Sequence, residues 1–400
     1  MTGRAALSRL AADAKVPPRV LPVIVLAQLA GTSPWFAVNA VMADLQREHG
    51  YSAADLGTLT SAVQLGFIVG TLVFALLGIA DRFSARRVFL ASALAGAVAT
   101  ALAVPMADSF GGLWACRAVG GFFLAGIYPV GMKIAAQWYS RGLGAALGLL
   151  VAALVLGSAS AHGLRALGAD VGWTWVFYGV AALSAGAGIA LIRLVPEPTS
   201  PKGLSGPVRL SRRSLAAMVT ERRLRASVLG YFGHMWELYT FWVLVPLIVA
   251  MHWSGTAASW VSFTVIAVGA VGSAGGGWLA LRWGSAQVAG AQLATSMLCC
   301  LIAPWAMSWP TPLFIAWLLV WGVTVVGDSP QFSTLTARNA PPAVQGSVLT
   351  LSNCIGFAIS IVSIQLLVPL AQPHTLAALL PWLGIGPALG LLALRPLWRE

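Results

Sequence analysis

The chain has 400 residues, of which 58% are apolar and only 9% charged, and its mean hydropathy is +0.82. A water-soluble domain does not tolerate that balance, so composition excludes a soluble enzyme and points to an integral membrane protein. The formal charge of +12 raises nucleic acid as a partner, but the basic residues gather in loops on one side of the apolar windows, a pattern of membrane topology and not of phosphate binding.

Residues 1–19 carry basic groups with no short apolar core and no small-residue cleavage site, and read as a cytoplasmic tail, not a signal peptide. Apolar windows of about twenty residues, the length that crosses ~30 Å of hydrocarbon, follow near 20–42, 56–80, 88–107, 112–135, 143–165 and 173–194. The stretch 196–225 contains Pro196, Pro198, Pro201 and Pro207 among serines and many basic residues, and reads as a cytoplasmic linker. Its part from Arg209 to Arg225 is either a basic helix lying on an anionic leaflet or a solvated connector. Six more windows lie near 226–251, 257–281, 287–307, 311–335, 344–368 and 376–396. Lipid satisfies no open backbone group, so all twelve are expected to be helices. The expected class is an all-α integral membrane protein of twelve transmembrane helices, with an N-terminal half at 20–195 and a C-terminal half at 226–400.

With the N-terminus inside, nearly all Lys and Arg residues fall on the cytoplasmic side and only Arg47 and Arg165 on the other. That bias, over an even number of spans, puts both termini in the cytoplasm. The high Ala, Gly and Arg content suits a bacterial inner membrane. Cys116, Cys299, Cys300 and Cys354 lie inside predicted spans without metal-ligand spacing and read as small buried hydrophobes; no metal or other cofactor is expected.

Between the second and third windows stands Gly78-Ile79-Ala80-Asp81-Arg82-Phe83-Ser84-Ala85-Arg86-Arg87, and at the matching place of the second half stands Gly277-Trp278-Leu279-Ala280-Leu281-Arg282-Trp283-Gly284. A charged loop recurring after about two hundred residues marks an internal repeat of the kind that secondary transporters are built from. These residues resemble the signature loop of the major facilitator superfamily (MFS), Gly-x-x-x-Asp-Arg-x-Gly-Arg-Arg/Lys. Asp81 and Arg82 match, Arg86 fits the second basic position and Arg87 extends the run. Gly78 sits one residue too close to Asp81, Ser84 replaces the second glycine and Ala85 the first basic residue. In the second half Gly277, Arg282 and Gly284 keep the spacing while Leu281 replaces the acid. Arg117-Ala118-Val119-Gly120-Gly121 echoes a family pattern of the fourth helix, Arg-x-x-Gln-Gly, with glycine for glutamine. The Gly-Pro signature of drug/proton antiporters is missing from Leu149 to Gly163.

The resemblance implies two pseudo-symmetric six-helix halves around a central cavity lined by helices 1, 4, 7 and 10, and a cytoplasmic gate formed by Asp81, Arg82, Arg86, Arg87 and Arg282. Physically, an acid at a helix end accepts from a neighbouring helix N-terminus and pairs with adjacent arginines, latching that side shut while the cavity faces outward.

Charged groups at membrane depth are costly, so each is a functional hypothesis. His234 and Glu237 share a face of the seventh span, and Thr324, Asp328 and Gln331 share a face of the tenth. From the helical rise, Glu237 lies about 18 Å from the level of Arg225 and Asp328 about 15 Å from that of Arg338. Two acids of similar depth, placed by the resemblance around one water-filled space, do not both ionise easily, so one is expected to exchange a proton. Glu237, Asp328 and His234 are therefore the candidate proton-coupling station; the alternative is a pair of structural ties, Glu237 with His234 or Asp328 with Arg117. Pro330 is expected to bend the tenth helix beside Asp328. Arg117 has three readings: it attracts an anionic substrate, neutralises a coupling acid, or ties helices. Lys133 either snorkels or adds a basic patch at the cytoplasmic mouth.

Substrate contacts are expected from Gln28, Thr32, Trp35 and Asn39 on one face of the first span, Arg117 and Tyr128 on the fourth, Trp236 and Tyr239 on the seventh and Gln331 on the tenth. Trp35 serves equally well as an interface anchor, and His162, His252 and His374 read as groups near the outer surface. The expected function is secondary active transport of a small organic solute by alternating access, coupled to protons or sodium, by a lipid-embedded monomer that is no enzyme and binds no nucleic acid. The alternatives are a drug or cation/proton antiporter and a non-transporting receptor or scaffold.

Overall fold

The computed structural model describes residues 16–139, 143–197 and 211–398. The tail 1–15, residues 140–142, residues 198–210 of the expected linker and the C-terminal pair 399–400 lie outside the described residues. Among the described residues, twelve helical spans are long and apolar enough to cross a membrane: α1 Val20–His49, α2 Ala53–Leu76, α3 Ala85–Leu102, α4 Phe110–Trp138, α5 Ala146–Leu167, α6 Thr174–Leu194, α7 Arg222–Val249, α8 Gly255–Trp283, α9 Ser285–Ala306, α10 Thr311–Asn339, α11 Pro342–Leu370 and α12 Leu376–Leu397. No strand occurs among the described residues. Several spans run past the apolar windows because their polar ends continue the helix. Thus α1 reaches His49 and ends on Gly50, whose φ of +72° suits a residue without Cβ.

Three spans that face the middle of the bundle are interrupted, each next to a proline. In α1, Ser33–Phe36 is a 3₁₀ turn with Pro34 near its start. In α4, the helix breaks after Leu124 and restarts at Tyr128 with Pro129 in its first turn. In α10, it breaks at Asp328 and restarts at Ser329 with Pro330 in its first turn, the bend expected from the missing N–H of proline. The position of these breaks decides where side chains at the centre point.

The two halves repeat a packing detail. A Cβ on Gly66 of α2 would run into the Ala118 carbonyl of α4, and one on Gly121 of α4 into the Val63 carbonyl of α2. In the second half a Cβ on Gly272 of α8 would strike the Val323 carbonyl of α10, and one on Gly322 of α10 the Val265 carbonyl of α8. Helix backbones approach this closely only where side chains are absent, which is how van der Waals contact joins helices in lipid. Between halves, α5 packs on α8 and α2 on α11.

The linker tract from Arg209 to Arg225, by expectation either a basic helix or a solvated connector, contains a short helix, Arg212–Thr220, capped by Ser211, whose hydroxyl accepts from the Ser214 N–H. It ends at Glu221, and α7 then starts at Arg222, ahead of the expected 226. Its buried Ala217 and Met218 pack with Leu224, Val228, Val344 and Val348, so this face rests on the second half of the bundle. The end of the bundle carrying Arg82, Arg87, Arg213 and Arg282 is called the basic end below.

At the opposite end of the first half, Asp44 is held by both Arg165 of α5, at 2.9 and 3.1 Å, and Arg47, at 2.6 Å. The Trp173 indole donates to Glu48 at 2.7 Å and the Tyr51 hydroxyl to the Ala107 carbonyl at 2.6 Å. Burial, helped by Asp55 and Asp108, holds the Tyr51 phenol above its usual pKa, so it stays a donor. His162 departs from the expectation of a surface group: it is buried at 2% exposure, on the span that packs against α8. His252 instead stacks on Phe314 with ring centroids 4.1 Å apart.

Candidate transport pathway and buried charges

A cavity of about 480 Å³ lies between the halves. Its walls come from the basic-end parts of α4, α5, α10 and α11, with Thr71 of α2 and Tyr231 of α7, so it opens toward the basic end. Toward the other end it is stopped by a plug of aromatic rings drawn from both halves. Trp35 stacks on Tyr239 at 5.8 Å and meets Phe67 at 5.1 Å and Phe357 at 5.6 Å. Phe36 stacks on Tyr239 at 6.2 Å and meets Trp242 edge-on at 5.6 Å. Trp35, Phe36, Phe67 and Trp242 are fully buried, and offset or edge-on rings at such distances attract beyond their apolar burial.

The plug depends on the break in α1, and Arg117 holds that break. The Arg117 guanidinium donates to the Pro34 carbonyl at 2.8 Å and the Trp35 carbonyl at 2.5 Å. It forms no ion pair among the described residues, and the expected tie to Asp328 is not made. Arg117 therefore bonds carbonyls of the 3₁₀ turn, that of Pro34 also accepting from the Ala37 N–H, rather than facing the cavity.

The break also scatters the four residues expected on one face of α1. Gln28 sits against Gly131 of α4. The Thr32 hydroxyl donates to the Gln28 carbonyl at 2.9 Å and faces Gly157 of α5. Trp35 joins the plug, and the Asn39 amide donates to the Thr60 hydroxyl of α2 at 3.1 Å. A uniform helix would align these positions; the tighter turn at Ser33–Phe36 rotates the second segment away. On α7, Tyr239 belongs to the plug, and the Trp236 indole donates to the Trp382 carbonyl of α12 at 3.1 Å, away from the cavity. Gln331 is buried at 3% exposure while its neighbours Pro330 and Ser333 line the cavity. Of the expected substrate contacts, only Tyr128 lines this cavity.

The two membrane acids are separate. Both are 1% exposed and neither lines the cavity, contrary to the expectation that they face one water-filled space. Glu237 points into the second half: its Oε2 accepts from the Ser296 hydroxyl at 2.5 Å, and its Oε1 from the Trp321 indole at 2.6 Å and the Cys300 thiol at 3.2 Å. Cys300, expected as a plain hydrophobe, is thus a hydrogen-bond donor. Asp328 instead has His234, whose Nδ1 lies 2.8 Å from its Oδ1. Between that pair and the cavity stands Tyr231, its ring centroid 5.9 Å from that of His234 and its hydroxyl donating to Asn353 Oδ1 at 3.1 Å. Sequence spacing joined His234 to Glu237; the packing of α7 against α10 joins it to Asp328.

At the basic end, Asp81 pairs with Lys133 of α4, whose ammonium also donates to the Ala80 carbonyl at 2.5 Å. Asp81 thus pairs with Lys133 and not, as expected, with the adjacent arginines. Arg86 donates to the Ile192 carbonyl at 2.5 Å and lies 3.7 Å from Glu197, which also accepts from the Ser84 hydroxyl. Arg82, Arg87 and Arg282 are exposed and make no ion pair among the described residues.

Twelve spans in two repeating halves, with a central cavity open at one end, define a membrane transport fold. The chain belongs to the Major Facilitator Superfamily, whose sequence model matches residues 24–364. A chloramphenicol resistance protein of Streptomyces lividans is 30% identical over 262 residues, a match that spans 65% of this chain and 64% of the relative. The human organic anion transporter MFSD10 (TETRAN) has the same fold, with a TM-score of 0.70, 15% identity and coverage of 94% of this chain and all of that one. A bacterial homologue of the human lysosomal transporter Spinster, in an inward-facing and occupied conformation, matches with a TM-score of 0.70 and 15% identity over 94% of this chain and 96% of its own.

Proposed function

We propose that this chain is a secondary active transporter that moves a small organic solute across a bacterial inner membrane by alternating access, coupled to protons through His234, Asp328 and Glu237. The observation that carries the reading is the cavity, open at the basic end and stopped by a plug built from both halves. Such a plug opens only if the halves at 20–195 and 226–400 rock about the central site, which is how repeat-built transporters expose one face at a time. In the proposed cycle Asp81, Lys133 and the neighbouring arginines form the gate at the basic end, which the positive-inside rule assigns to the cytoplasm.

Protons enter the reading through Tyr231. It lines the cavity and lies against His234, so a proton taken up by the His234 and Asp328 pair changes the charge of α7 and α10 beside the solute site. Glu237, one helical turn deeper, is a second station. A proton biases the equilibrium between the two faces only by its different affinity for them.

The test is proton movement in proteoliposomes carrying a pH dye, challenged with pools of organic solutes, for wild type, Glu237→Gln and Asp328→Asn. A solute-triggered pH change lost in either variant supports coupling. Solute uptake with no proton movement overturns it and leaves a uniporter or sodium symporter. A second reading, export of a drug-like compound, is favoured by the likeness to the chloramphenicol resistance protein; outward flux driven by an inward proton gradient distinguishes it.

A further inference from the structure

The cavity has an uncommon charge economy for a site ringed by membrane-embedded ionisable groups. Among its described lining residues there is no acid, and the one base is Arg338, an exposed residue at the rim. The buried charges are engaged elsewhere. Glu237 accepts three hydrogen bonds from α9 and α10, Asp328 faces His234, Arg117 holds the Pro34 and Trp35 carbonyls, and Lys133 holds Asp81.

What the cavity does present is neutral and polar. Tyr231 and Asn353 share a hydrogen bond on the wall, and Tyr128 stands across from them on α4. Thr71 and Ser352 also line it, are 8% and 4% exposed, and their hydroxyl oxygens have no hydrogen-bond partner in the described structure. Buried polar groups are normally hydrogen-bonded; these two hydroxyl oxygens, on opposite halves of one cavity, are covered and unpartnered, and a rotation of each side chain toward the cavity gives a bound molecule the partner that each lacks.

We infer that the site formed by Thr71, Tyr128, Tyr231, Ser352 and Asn353 takes an uncharged, hydrogen-bonding organic solute carrying an aromatic or similarly flat apolar part, and rejects organic cations. This rests on the transport reading and deepens it by naming the solute class. A cation entering the site would shed water without meeting a carboxylate, which is expensive. An uncharged amide or alcohol exchanges its water for the free hydroxyls, and the tyrosines offer ring faces. Competition between a cationic solute and a proton for one acid is then not the coupling device; the acids act on the helices that carry the wall.

The full chain in lipid nanodiscs is titrated calorimetrically with chloramphenicol, which is uncharged, tetraphenylphosphonium, a permanent cation, and p-nitrobenzoate, an anion. Expected are binding of chloramphenicol, at least tenfold weaker in a Thr71→Val/Ser352→Ala variant, and no binding of the cation. Asn353→Asp, which puts a carboxylate in the wall, is expected to gain cation binding, a result that misfolding does not imitate. The inference is overturned if wild type binds the cation or the anion more tightly than chloramphenicol, if none of the three binds, if the double variant binds chloramphenicol as wild type does, or if Asn353→Asp stays blind to the cation. Failure of the transport reading looks different: chloramphenicol binds as expected but is not moved across proteoliposomes. Proton-linked flux of the cation would sink the solute class and leave transport standing.

Discussion

Trp321 of α10 donates its indole N–H to Glu237 of α7 at 2.6 Å, and the acid is thereby aimed into the second half instead of the central cavity. The geometry makes Glu237 part of the contact among α7, α9 and α10, so a change in its protonation acts on how those helices fit. A buried carboxylate with three donors is sensitive to the loss of any one, because the donors that remain were placed for an anion or a shared proton.

Replacing Trp321 by Phe removes the indole donor while keeping an apolar ring that can still lie against Phe241, its stacked neighbour at 4.3 Å. The expected cost is about 1.5–3 kcal/mol for the lost hydrogen bond to a charged group. It is measured as a lower melting temperature together with a shifted pH dependence of solute flux. An unchanged pH profile would separate Glu237 from coupling.

His234 and Asp328 form the other buried pair, and their contribution is expected to be strongly non-additive. In a cycle of His234→Gln, Asp328→Asn and the double variant, the interaction energy should fall within about 0.5–3 kcal/mol. Additive effects on both stability and flux would mean that the two side chains do not act as a unit.

The ion pair between Asp81 and Lys133 ties the α2–α3 loop to α4 at the basic end. Asp81→Asn is expected to change the balance between inward and outward states with a stability loss of about 1 kcal/mol, since the pair is partly exposed, Lys133 to 16% and Asp81 to 29%. The measurement is thiol labelling of single cysteines introduced on the cavity wall of a cysteine-free background. Exchange of the charges, Asp81→Lys with Lys133→Asp, should restore wild-type labelling if the pair itself matters.

Phe357 of α11 touches Trp35, Phe67 and Tyr239 at centroid distances of 5.6, 4.7 and 5.0 Å. Phe357→Ala should destabilise the plugged end, opposite the basic end, by about 3–5 kcal/mol, as other large core truncations do. Accessibility of a cysteine at Ser360, beside the plug on α11, to a membrane-impermeant thiol reagent added from the plugged side should then rise. Unchanged accessibility, with a lowered melting temperature, would make the ring core and not plug.

Asp44 is expected to carry stability without carrying transport. Asp44→Asn leaves the largely buried Arg165 without its carboxylate and should cost about 3–5 kcal/mol, seen in thermal unfolding, while flux per folded molecule is retained.

The membrane class, the twelve spans, the repeat and the family resemblance are all legible in the order of the amino acids. All of these follow from composition, window length and a loop motif, which are local or periodic properties. The same order picks out Glu237, Asp328, His234 and Arg117, because an ionisable residue inside an apolar window stands out in one dimension. What each of them faces is set by how the helices pack. Helical spacing put His234 with Glu237, but the break at Asp328 and the packing of α10 on α7 gave His234 to Asp328 and left Glu237 to Ser296, Cys300 and Trp321. Straight-helix spacing aligned Gln28, Thr32, Trp35 and Asn39, but the 3₁₀ turn at Ser33–Phe36 sent them to different neighbours. The cavity residues Thr71, Tyr231, Ser352 and Asn353 were silent in the chain, since a hydroxyl or amide in a transmembrane helix carries no mark of the helix it will meet. Which face of a span is the inside of a cavity is a property of the neighbours and of the angle at each break, and these come into being only when the helices pack.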